Sequence, residues 1–275
     1  MQNNHHLKEA KATGVKPWEE LFKSWKLGYR KLLSCLRSIL EGKPSEDLLE
    51  RISVFLSNPM RVKRSKLTPF CYLGVFYEIW PGAPAFSRTI YDALDEAARL
   101  SLKNLRWLEN KTWIFVATNL SDSMLRPVCA DSQMRYMDIG ILLSYLLKAE
   151  HGRTIAGVFG AVWEEVPFYG APLENTVNMH HFKDLAGQGN NGHLAIDCLL
   201  NDNIRMDKVM LFTDSDLWLA ESKTKDSWHR YKALFPEAEL FLFNLAGGGN
   251  GRIDQAEIDV FLVSGWNDSV IMEID

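Results

Sequence analysis

Five short apolar runs limit the fold more than any other feature of this chain: WIFVAT from Trp113, TIAGVFG from Thr154, VMLFT from Val209, ELFLFNL from Glu239 and EIDVFLVSG from Glu257. Each has the length of a strand and is apolar almost throughout, the pattern of a strand covered on both faces. Helical stretches are predicted between them, over 131–150, about 176–186, about 192–201 and 222–234, with NDSVIMEID closing the chain. Strands alternating with helices predict an α/β domain with a mostly parallel sheet. AVWEEVP, just after the second run, reads as a short antiparallel edge strand. Ligands of such sheets sit outside the carboxyl ends of the strands, so the loops after Thr118 and Thr213 share one rim.

Residues 17–106 follow a different grammar, that of helices separated by short breaks. PWEELFKSWKLGYRKLLSCLRSILEG opens with Pro17, breaks at Gly28 and ends at Gly42. SEDLLERISVFLSN follows with Ser45 as N-cap and acids in its first turn. A third helix runs through FCYLGVFYEIW after Pro69, and a fourth through SRTIYDALDEAARLSLKNL with Ser87 or Thr89 as N-cap. Four helices in succession suggest the end of a helical-repeat array. The expected organisation is a helical-repeat region over 1–110 and an α/β domain over 111–275.

Charge divides along the same line. Residues 1–110 hold 18 Lys and Arg against 12 Asp and Glu, a surplus of six cations, while the rest holds 13 against 23. A basic N-terminal part points toward nucleic acid, or else to an unevenly charged solvated surface. No apolar run is long enough for a membrane span, and MQNNHHLKEAKATG has no apolar signal core, so a cytoplasmic protein is expected. Cys35, Cys71, Cys129 and Cys198 show no C-x-x-C spacing and read as buried reduced thiols.

Two stretches carry candidate chemistry. RVKRSKL places Arg61, Lys63, Arg64 and Lys66 within six residues and without an acid, a set suited to phosphate contacts or to a solvated turn. WIFVATNLSDSM ends a strand in a loop of small hydroxyl residues, Ser121 and Ser123, with Asn119 two residues before the first. AGGGNGRID lacks the Lys-Ser/Thr of a phosphate loop and reads as a flexible loop. His180-His181 lacks a third ligand at zinc spacing, and no G-x-S-x-G elbow or base for Ser121 supports nucleophilic catalysis.

In combination these segments resemble the Ro ribonucleoprotein (TROVE) family in its C-terminal part, where the last helical repeats precede a von Willebrand factor A-type (vWA) domain. GYRKLLSCLRSIL is similar to its Tyr/Met-x-x-Leu-x-x-Asn-Leu-Arg helix, and RVKRSKLTPFCYLGVFY to its Val-x-x-Ser-Arg-x-x-Pro-Phe-x-x-Leu-x-Ala-Tyr segment. WIFVATNLSDSM stands where vWA domains have strand-Asp-x-Ser-x-Ser-Met, and LFTDSDLW where they have strand-Thr-Asp-Asn. The resemblance implies a Rossmann-like vWA fold behind a small HEAT-like helical region. It also implies a metal ion-dependent adhesion site in degenerate form. Ser121, Ser123 and Asp214 keep its ligand positions, and Asn119 stands in place of the first Asp. Asn190 or Asn191 stands at the Thr position, Asn191 being taken into the ligand set. Mg²⁺ is a possible cofactor under this reading, the favoured alternative being a loop held by its own hydrogen bonds without an ion.

Family members bind structured noncoding RNA outside a helical ring and single-stranded ends inside it; most of that ring has no counterpart here. The implied function is a non-enzymatic RNA-binding or scaffolding protein of a ribonucleoprotein or larger complex, with Arg61, Lys63, Arg64 and Lys66 contacting phosphates. The alternative is a purely structural assembly subunit that has lost RNA binding. A truncated array exposes an apolar edge, which residues 1–25, a protein partner or self-association would cover.

Overall fold

The computed structural model describes residues 27–80, 88–105, 112–178, 184–214, 217–218, 222–247, 252–267, 270–272 and 274. The chain divides into two compact units, Met1–Asn104 and Leu105–Asp275.

The first unit is helical: α1 Tyr29–Glu41, α2 Glu46–Leu56, α3 Pro59–Ser65, α4 Pro69–Ile79, α5 Arg88–Ser101 and a 3-10 turn Leu102–Asn104. Apolar residues at helical spacing dictate the buried faces, with Leu32, Leu33, Leu36, Ile39 and Leu40 inward on α1 and Leu48, Leu49, Ile52, Phe55 and Leu56 on α2. The Ser45 hydroxyl accepts from the Leu48 N–H at 3.3 Å, capping α2 as its sequence predicts. The Tyr29 hydroxyl donates to the Leu56 carbonyl at 2.7 Å and lies 3.2 Å from the Tyr72 hydroxyl, joining α1, α2 and α4. Burial pushes the phenols of Tyr29 and Tyr72 above their usual range, so both remain neutral hydrogen-bonding groups. Asn104 donates to the Leu67 carbonyl at 2.8 Å, fixing the end of the unit.

The second unit is a seven-stranded sheet in the order β3-β2-β1-β4-β5-β7-β6. Its strands are β1 Ile114–Asn119, β2 Thr154–Phe159, β3 Trp163–Glu165, β4 Lys208–Thr213, β5 Glu239–Asn244, β6 Arg252–Glu257 and β7 Val260–Ser264. The five inner strands are parallel, and β3 and β6 are antiparallel at the edges. The helices are α6 Tyr136–Glu150, α7 Pro172–Val177, α8 Gly192–Asn201 and α9 Ser222–Leu234, with a 3-10 turn Val270–Met272. One face of the sheet packs Phe115, Ala117, Leu211, Leu240 and Leu242 against Ala195, Ile196, Leu199, Trp228 and Tyr231 of α8 and α9. Helix α6 covers the other face so closely that a Cβ on Gly140 would lie 2.2 Å from the Thr118 hydroxyl oxygen. This is the doubly covered, mostly parallel α/β sheet that the alternating pattern predicts and the vWA-like Rossmann fold that the resemblance implies.

Several local expectations need correction. RVKRSKL is not a bare turn but most of helix α3, with Pro59 in its first turn and the Asn58 side chain accepting from the Arg61 N–H at 3.1 Å. Thr89 lies inside α5 rather than capping it. Of the helix expected over about 176–186, residues 176 and 177 end the helix Pro172–Val177, 184–186 form a turn, and 179–183 lie outside the described residues. Glu257 of EIDVFLVSG ends edge strand β6 and Ile258-Asp259 make the hairpin turn, with Asp259 at φ 61°, while residues 252–254 of the supposed flexible loop begin β6. Of the four thiols expected to be buried only Cys35 is so; Cys71 and Cys198 are half-buried and Cys129 is exposed. The Ser87 cap, His180-His181, Gly248–Gly251 and the proposed 1–25 cap lie outside the described residues.

Candidate functional site

Strand order places the rim of the second unit. The chain leaves β1 toward β2 on one side and later enters β4 on the other, so a crevice opens at the carboxyl ends of β1 and β4. Asn119 ends β1 there and is fully buried. Its amide Nδ2 donates to the Gly189 carbonyl at 2.9 Å and the Phe159 carbonyl at 3.3 Å. Its Oδ1 accepts from the Ser121 N–H at 3.0 Å. Two carbonyls and one N–H fix which end of the amide is which.

Asp214, just past β4, accepts on both oxygens. Ser121 Oγ donates to Oδ2 at 2.8 Å, and Asn190 Nδ2 donates to Oδ1 at 2.9 Å. Thr213 Oγ1 in turn donates to Asn190 Oδ1 at 2.9 Å. Of the two candidates for the Thr position, Asn190 is the one that meets Asp214; Asn191 donates to the Gly160 carbonyl at 2.8 Å. Ser123 is half-buried, and its carbonyl accepts from the Arg126 N–H at 3.2 Å within the loop's turn. The loop carrying Gly189 and Asn190 can reach Asn119 because glycine permits a close approach: a Cβ on Gly160 would lie 2.1 Å from the Gly187 carbonyl oxygen.

A divalent cation of the adhesion-site kind needs these side chains as acceptors turned toward one point. Here two amide N–H groups and a hydroxyl O–H are aimed at the acceptors such an ion would use. As arranged, the donor set does not fit the ion. Among the described residues, no cluster of three or more His, Cys, Asp or Glu has metal-holding geometry. Asp122 of the same loop is exposed.

The four predicted phosphate contacts of the first unit divide into two pairs. Arg61 and Arg64 line an open cavity of about 730 Å³, whereas Lys63 and Lys66 lie outside its wall. Arg30 and Lys31 of α1 join the first pair, although their thirty-residue separation hid the relation in the sequence. Among the described residues, no carboxylate belongs to the cavity wall. Arg30 donates to the Ser65 carbonyl at 2.8 Å, and the Arg61 guanidinium lies 3.9 Å from the Phe55 ring centroid.

No family model matches this sequence, and no curated protein matches it. Among solved structures it is similar to that of the Deinococcus radiodurans RO (RSR) protein, with a TM-score of 0.60 at 15% sequence identity. That similarity covers 97% of this chain and 61% of the other, so this chain spans less than two thirds of that protein's length and shares its fold.

Proposed function

We propose that this chain is a non-enzymatic RNA-binding or scaffolding protein of a ribonucleoprotein or larger complex. The observation that carries the reading is the concentration of Arg30, Lys31, Arg61 and Arg64 around one cavity, with Lys63 and Lys66 nearby in sequence. Phosphates are the anions such a surface takes up, largely without regard to sequence and with strong salt dependence. The Ro-like fold and the sequence resemblance to the Ro ribonucleoprotein family favour RNA as their source. In the second unit, Asn119, Ser121, Asn190 and Asp214 form a closed hydrogen-bonded rim that would present a fixed surface to a protein partner rather than a reacting group. Exposed Val54 and Met60 on the helical unit suit a further protein contact or self-association.

The protein, purified without nuclease, is expected to carry RNA that ribonuclease removes and that Glu substitutions at Arg61, Lys63, Arg64 and Lys66 prevent from copurifying. Nucleic-acid-free protein that retards no RNA at low salt would instead support the assembly-subunit reading. No helix among the described residues is long and apolar enough to cross a membrane.

A further inference from the structure

We draw no further inference here: the strongest candidate, the exposed aliphatic pair Val162 and Leu185 at the carboxyl-end rim of the sheet, where the Val162 N–H donates to the Ala186 carbonyl at 3.0 Å, carries nothing because nothing in the structure shows what covers it.

Discussion

Asn119→Asp supplies the carboxylate that the adhesion-site pattern has at this position, and the rim geometry predicts that it destabilises the second unit at neutral pH. Asn119 is fully buried, and its amide N–H groups satisfy the carbonyls of Gly189 and Phe159 at 2.9 and 3.3 Å. An aspartate would direct lone pairs at both carbonyls. The half-buried Gly189 carbonyl loses its donor at about 1–3 kcal/mol, while the Phe159 carbonyl keeps the Leu120 N–H at 3.1 Å. The buried charge facing both carbonyls costs about 2–3 kcal/mol more, and the Ser121 N–H bond, strengthened by charge, offsets about 1–2 kcal/mol. The expected net loss is about 2–4 kcal/mol, a drop of about 5–15 °C in Tm for a unit of this size. Burial and the facing carbonyls disfavour the charged form, so the folded carboxyl titrates above the unfolded value of about 3.9. The unfolded state therefore loses its proton first as pH rises. The ionisation penalty is absent where both states are protonated, below about pH 3.9, and complete above the folded pKa. Urea unfolding of the variant and parent at about pH 4 and about pH 7.5, without divalent ions, should show the deficit growing with pH. A variant within about 0.5 kcal/mol of the parent at the higher pH would refute this account of the rim.

Three further outcomes follow from the packing of the second unit. Gly140→Ala should destabilise by about 1–3 kcal/mol in denaturant unfolding, because its Cβ would meet the Thr118 hydroxyl oxygen at 2.2 Å and the Phe212 ring at 3.0 Å. Tyr231→Phe should cost about 1–3 kcal/mol by the same measurement, since the buried phenol accepts from the Met206 N–H at 2.7 Å and donates to the Ile204 carbonyl at 2.9 Å. Burial pushes that phenol up to about 12, so the cost should be constant from mildly acidic to mildly alkaline pH. In an NMR titration the Glu257 carboxyl should ionise below the usual range, held down by hydrogen bonds from Lys225 first and His229 second. Lys225→Ala should raise it more than His229→Ala.

The sheet was legible because burial on both faces leaves little room for polar residues: VMLFT and ELFLFNL contain the buried runs of β4 and β5 almost unaltered. Strand β6 was hidden for the opposite reason. RIDQAE lies on an exposed edge, where the ladder of backbone bonds to β7 defines it and apolar pattern does not. Helix α3 was equally silent, since only Val62 of its seven residues is buried; Pro59 and the Asn58 cap were the available signals. The cation cavity could not be read from spacing at all. It exists because Tyr29 packs on Phe55 and Arg30 bonds to Ser65, contacts that bring α1 and α3 together across the sequence.

The rim shows why two departures from a motif cannot be counted separately. Asn119 alone, in place of an acid, would remove one unit of negative charge from a cation site and leave the remaining ligands facing an uncompensated gap. Asn190 changes the outcome, because its Nδ2 donates to Asp214 while its Oδ1 accepts from Thr213. Together with the Ser121 hydroxyl, it gives the Asp214 carboxylate two directed protons. The carboxylate is thereby satisfied by dipoles, which balance a partly buried charge when their geometry is good. Asn119, freed from serving a cation, turns its amide to the Gly189 loop carbonyl and the Phe159 carbonyl at the end of β2, to which an aspartate could not donate. Each asparagine is useful chiefly because the other is present. Removing the Asn190 amide should therefore disturb Asp214 and Ser121 before it reaches Asn119, an order of effects that chemical-shift changes in Asn190→Ala would reveal.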